Sequence, residues 1–175
     1  MTAAGVVVSP AAPADQRALA GLFQFYIYHF AGLRDAAAED YAFGPDGLFE
    51  PFEHLGGYFT EPERSAHVVR VDGRLAGFVL MNRRSHCGVT IDHNIGEFFV
   101  AAQYRRGGVG AEVLRQMTVG RPGRWEAAIR ASNTGAQAFW PTAIAALPGV
   151  SDITTTEGDG EAWTGPILHF TVPAA

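Results

Sequence analysis

The sequence predicts a mixed α/β (α+β) domain, built on a mostly antiparallel sheet of about seven strands with helices on both faces. Three observations carry this. Runs rich in β-branched and aromatic residues alternate with helical stretches in the order strand, helix or helices, three strands, helix, strand, helix, two strands. Asp72-Gly73 joins two of the apolar runs in the manner of a tight hairpin. Gly107, Gly108 and Gly110 stand between a strand-like run ending at Val100 and a helical stretch opening at Ala111. A chain of 175 residues suits one domain spanning 1–175.

Val6-Val7-Val8, ended by Ser9-Pro10, reads as a first strand. Pro13 with Asp15 opens a helix whose Leu19, Leu22, Phe23, Tyr26, Ile27 and Phe30 recur at spacings of three and four. Phe25, Tyr28 and His29 fall partly off that stripe, which predicts burial on several sides or a wall of a binding site. Between Arg34 and Glu63, acids mix with aromatics, and a short helix is expected around Leu48 to Tyr58. Such a mixture could draw in a cationic amine, or could be a solvated face over a satellite core. Ala66–Val71, Leu75–Met81 and Ile91–Val100 form a three-stranded meander, with a polar loop at Arg83 to Gly88 before the third strand. Pro122-Gly123 ends the next helix. A strand at Trp125–Ile129, a helix from Asn133 to Leu147 and strands at Ser151–Thr156 and Ile167–Val172 complete the chain.

Composition narrows the function. An apolar share of 47% and a charged share of 18% belong to a compact protein. No apolar run approaches a membrane span, no basic segment leads into an apolar one at the start, and Cys87 is the single cysteine. These features point to a cytoplasmic protein without membrane association. A net charge of −5 argues against nucleic acid as the main partner.

The glycine cluster is the first chemical signal. Glycines leave consecutive backbone N–H groups uncovered, and a helix starting there adds unpaired N–H groups and the positive end of its dipole. Such a place binds an anion, most often phosphate, and Arg105 and Arg106 can add charged hydrogen bonds. A P-loop is excluded because the chain contains no lysine. A dinucleotide fingerprint is disfavoured because Val113 occupies its third small position. What Arg105-Arg106-Gly107-Gly108-Val109-Gly110 resembles is the acyl-coenzyme A loop, [Q/R]-x-x-G-x-[G/A], of the GNAT N-acyltransferase superfamily. Asn133-Thr134-Gly135-Ala136-Gln137-Ala138-Phe139-Trp140 is similar to that superfamily's N-x-x-A-x-x-F-Y helix, at the expected distance along the chain. Gly96–Val100, Pro122–Glu126, Phe139-Trp140 and Trp163-x-Gly165-Pro166 look like a subfamily of predicted acetyltransferases of unassigned substrate.

The resemblance implies direct transfer of an acyl group, usually acetyl, from acetyl-coenzyme A to the amine of a small molecule or peptide. It implies no metal, and a homodimer is compatible with it. The thioester carbonyl would sit against the backbone of Phe99 and Val100. The pyrophosphate would sit on the N–H groups of Arg106 to Ala111, with Arg105 beside it. Asn133 would touch the pantetheine arm, and Phe139 and Trp140 would line its path. Trp140 departs from the family's tyrosine, and an indole cannot protonate the departing sulfur. A phenolic general acid is then missing unless Tyr26, Tyr28 or Tyr58 supplies one, and a coenzyme A thiolate can depart without an acid; Tyr26, Tyr28 and Phe98 are also the expected acceptor-binding residues. A non-catalytic acyl-coenzyme A sensor and a partner-binding domain with an aromatic interface near Phe43 to Phe59 are the rival classes.

Glu97 is the expected base. It stands in an apolar strand three residues before Val100, where desolvation by Ile95, Phe98 and Phe99 should raise its pKa. A structural acid at the strand's edge, or one paired with an arginine, is the alternative. Asp92 and His93 are the reserves. His86, Cys87, Asp92 and His93 cluster in sequence, but their spacing matches no zinc pattern. Nothing marks a base that would activate Cys87 as a nucleophile.

Overall fold

A computed structural model describes residues 5–33 and 41–174. Its sheet has seven strands: β1 (Val6–Pro10), β2 (Ser65–Val71), β3 (Arg74–Asn82), β4 (His93–Val100), β5 (Gly123–Ala128), β6 (Ser151–Glu157) and β7 (Pro166–Val172). They lie in the order β1-β2-β3-β4-β5-β7-β6. Every neighbouring pair is antiparallel except β4 and β5, which run parallel. The helices are α1 (Gln16–Ala31), α2 (Gly57–Thr60), α3 (Val109–Thr118) and α4 (Thr134–Ala145).

Strand alternation divides the core in two. Val69 and Val71 of β2 join the cluster containing Val113, Leu114 and Met117 of α3 and Ala143 and Ile144 of α4. Ala66 and Val68 of the same strand join the cluster containing Leu19 and Phe23 of α1, Leu55 and Tyr58. Period-two side chains thus bury both faces of the central strands, each under its own helices. Gln116 ties α3 to the sheet edge, donating to the Val6 carbonyl and accepting from the Val8 N–H, each at 2.9 Å.

Several sequence expectations change. The segment expected to be helical from Leu48 to Tyr58 holds only a 3-10 turn (Glu53–Gly56) followed by the single turn of α2. Pro51 stands before these turns without an N–H to give a helix, and the side chain of Gln24 pins the backbone of Phe49 at both its N–H and its carbonyl. Aromatics do not bury α1 all round: Phe25 is 65% exposed and Tyr28 67%. The third meander strand begins at His93 rather than Ile91, because Asp92 is occupied in capping Arg124, accepting from its N–H at 2.8 Å. Asp35, Glu39 and Asp40 of the acidic segment lie outside the described residues.

Candidate active site

The site begins where two parallel strands stop pairing. β4 and β5 are joined only at His93↔Trp125, Asn94↔Glu126 and Ile95↔Ala127. Beyond Ile95, β4 continues for five residues with its backbone paired, among the described residues, to β3 alone. Its far edge from Gly96 to Val100 therefore keeps ladder groups without a partner strand, a condition that buried backbone tolerates only where a ligand or water can bind. A cavity of about 850 Å³ opens in this gap, lined by β4, by the end of β5, by α1 and by the starts of α3 and α4.

The glycine loop sits at the mouth of the gap. Gly108 caps α3 with φ +78°, and Arg106 is left-handed at φ +64°, so the loop reverses tightly into the helix. The first helical bond there runs from Glu112 N–H to the Gly108 carbonyl. Among the described residues, the N–H groups of Arg106 to Ala111 have no backbone acceptor. A side chain at Gly110 would press on Phe139 at 3.1 Å, so glycine there lets α3 approach α4 closely.

Arg105, Arg106, Gly108, Gly110, Ala111, Asn133, Phe139 and Trp140 all line the cavity, as do Phe98, Phe99 and Val100. Arg105 also donates from Nε to the Val100 carbonyl at 2.7 Å, which locks the end of β4 to the loop. Asn133 caps α4, its Oδ1 accepting from Ala136 N–H at 3.1 Å. Phe98 packs on Trp140 at 5.1 Å and on Phe139 at 6.0 Å. Three expected residues sit elsewhere. Gly107 and the fully buried Val109 do not line the cavity, and Val109 points into the core instead. Tyr28 faces outward from α1, because it falls on the helix surface opposite Leu19 and Phe23.

Glu97 faces the cavity and accepts a short hydrogen bond, 2.5 Å, from the Tyr26 hydroxyl. Burial raises its carboxyl to about 7, against the downward pull of that hydrogen bond and of Arg130 and His86. Burial and the charge of Glu97 push the Tyr26 phenol well above its ordinary value, so it remains a donor. The reserves are elsewhere: Asp92 holds Arg124, and His93 lies against Trp125 at 4.5 Å. Of the three phenols, only Tyr26 lines the cavity; Tyr58 is buried and hydrogen-bonded by Asn82 at 3.3 Å.

The partners brought in from distant segments are what the sequence did not reveal. Tyr26 reaches Glu97 from 71 positions away. Arg130, Tyr41, His86 and Trp163 also line the cavity. Glu126 of β5, fully buried, accepts from Ser85 Oγ at 2.6 Å, from His86 N–H and Nδ1 at 2.8 Å each, and from His169 Nε2 at 3.0 Å. No local pattern announces this cluster, because each donor stands 40 or more positions from Glu126. Cys87, Glu126 and His169 bring ligand atoms within 4.8 Å of one another, a group that the sequence grouping of Cys87 with Asp92 and His93 does not contain.

A glycine loop with uncovered N–H groups thus stands at the mouth of two parting strands, beside a carboxylate that burial raises. The family model described as Acetyltransferase (GNAT) family matches residues 29–142, and the chain belongs to that family. Among solved structures, an acetyltransferase from Thermus thermophilus aligns at TM-score 0.60 and 15% identity, over 99% of this chain and 100% of the other. A GNAT-family acetyltransferase from Staphylococcus aureus aligns at TM-score 0.63 and 9% identity, over 96% and 99%. The ribosomal-protein-S18-alanine N-acetyltransferase from Escherichia coli aligns at TM-score 0.52 and 16% identity, over 96% and 93%. At these identities the likeness is one of fold. No curated protein matches the sequence significantly. Among the described residues, no helix is long and apolar enough to cross a membrane.

Proposed function

We propose that this protein is an N-acetyltransferase that moves an acetyl group from acetyl-coenzyme A to the amine of a small molecule or peptide, by direct attack with both substrates bound. The observation that carries this is the unpaired edge of β4 from Gly96 to Val100, which runs from the glycine loop to Glu97. The amides of Arg106 to Ala111, with Arg105 and Arg106, take the pyrophosphate. The free edge of β4 holds the pantetheine arm, and its N–H groups polarise the thioester carbonyl. Glu97 deprotonates the acceptor ammonium, for which a carboxyl near 7 is well matched. Tyr26 orients that carboxylate. Trp140 packs beside the reacting carbonyl and supplies no proton; a coenzyme A thiolate is a good enough leaving group to depart without one. A cytoplasmic location accords with the single cysteine, which fits a reducing compartment.

Two measurements test this. Acetyl-coenzyme A should raise the melting temperature of the parent but not of Gly110→Glu, whose side chain would enter the loop beside Phe139. Coenzyme A release should follow when acetyl-coenzyme A is offered with a panel of phenethylamine, spermidine, L-lysine and a short peptide with a free α-amine. Equal thermal shifts in both proteins would remove the loop assignment. A shift without release from any amine would favour an acyl-coenzyme A sensor.

A further inference from the structure

The proposed transfer leaves several lining residues without a role, and among them His86 is an imidazole bonded to a buried carboxylate. His86 belongs to the loop between β3 and β4, lines the same cavity as Glu97, and lowers the Glu97 carboxyl when its own ring is protonated. Its imidazole is held more firmly than a loop residue usually is. Glu126 takes two bonds from this one residue, from the backbone N–H and from Nδ1, and Ser85 adds a third from the neighbouring position. Trp163 covers the ring at 4.7 Å. That tryptophan is itself placed by Asp159, whose Oδ1 accepts from the N–H groups of Glu161, Ala162 and Trp163.

The chemistry of Glu126 determines what the ring can do. Burial alone would raise this carboxyl, but hydrogen bonds from His86, Ser85 and His169 bring it down to about 2. It is therefore an ionised, acceptor-only group, and each partner must donate. Nδ1 of His86 accordingly carries a proton, which leaves Nε2 bare in the neutral ring. Nε2 has no hydrogen-bond partner among the described residues, and the side chain keeps 26% of its surface. His169 occupies the other oxygen of Glu126, and Cys87 approaches His169 at 3.7 Å rather than His86. The charged side chains that line the same cavity are Glu97, Arg105, Arg106 and Arg130.

We propose that His86, fixed by Glu126, is a second proton acceptor of the acetyl transfer, and that Glu126 is its positioning residue. This rests on the function proposed above. An acceptor ammonium loses two protons in becoming an amide. Glu97 takes the first: an N–H bond breaks, an O–H bond forms, and a free amine results. As the amine nitrogen bonds to the thioester carbon and the carbon–sulfur bond breaks, His86 Nε2 takes the second, becoming an imidazolium beside the Glu126 carboxylate. The imidazolium then returns that proton to the departing thiolate, and the proton on Glu97 leaves to solvent. One proton thus ends on coenzyme A and one in water, which balances the overall reaction.

The tests use the full chain. Nitrogen-15 spectra of the imidazoles, with acetyl-coenzyme A bound, should show the neutral tautomer of His86 carrying its proton on Nδ1; a tautomer protonated on Nε2 overturns the proposal. With the best acceptor of the amine panel, His86→Asn should keep the acetyl-coenzyme A thermal shift and its KM, while kcat falls about 10–100-fold. Asparagine preserves a donor towards Glu126, so a purely structural role would survive this change. Added imidazole should restore much of the rate of His86→Ala and none of the rate of Glu97→Gln. Turnover by the parent with kcat and pH profile unchanged in His86→Asn refutes the role of His86 and leaves the transfer intact. Absence of turnover by the parent refutes the transfer and this role with it.

Discussion

Glu97 and Glu126 stand on adjacent strands within the same protein, and their environments drive them in opposite directions. Glu97 has a single close donor among the described residues, the Tyr26 hydroxyl, and burial carries its carboxyl up to about 7. Glu126 is buried at least as deeply by surface, yet four donors surround its two oxygens and hold it at about 2. Burial is common to both, so the number of donors decides. A carboxylate with its lone pairs filled is part of the scaffold, whereas one left under-satisfied at a cavity is available for proton transfer.

The largest effect that could break this contrast is on rate. Glu97→Gln should cost about 10²–10⁴-fold in kcat with any amine that turns over, with the acetyl-coenzyme A thermal shift retained. A tenfold loss or less would make Glu97 as structural as Glu126. Next comes stability. Glu126→Gln removes the charge that four donors face and forces an amide N–H₂ against one of them; urea unfolding should show a loss of about 3–5 kcal/mol. A loss below about 1 kcal/mol would mean that the donors do not depend on a carboxylate.

The two acids also differ in how stability responds to pH. Glu97 is raised on folding, so its contribution is fully present below its unfolded value and is lost as pH rises through about 7. Glu126 is depressed, so its contribution holds above its unfolded value and is lost as pH falls towards about 2. Between about pH 5 and pH 8 the parent should lose on the order of 1–3 kcal/mol relative to Glu97→Gln, measured by parallel denaturant titrations. A constant difference across that range would place the carboxyl of Glu97 near its ordinary value. The smallest effect sharpens the role of Tyr26. Tyr26→Phe removes the donor that pulls Glu97 down, so the acidic limb of the rate profile should move up by about one pH unit, about 1.4 kcal/mol. A downward shift would mean that another group supplies the stronger donor.

The order of elements, the turn at Asp72-Gly73 and the glycine loop were all legible in the chain, because each is written in local periodicity and backbone preference. Glu97 stood out as an acid among apolar neighbours for the same local reason. Where the local signal was mixed, between Leu48 and Tyr58, the expected helix gave way to two short turns preceded by a stretch that Gln24 holds at Phe49. The outward turn of Tyr28 and the inward turn of Val109 depend on which helical face meets the core, and spacing alone left that open. What surrounds each acid was settled by packing. Tyr26 reaches Glu97 across 71 positions, and Ser85, His86 and His169 converge on Glu126 across 40 or more. A pKa is set by the atoms within a few ångströms of the group, and sheet order brings those atoms together from strands far apart in the chain.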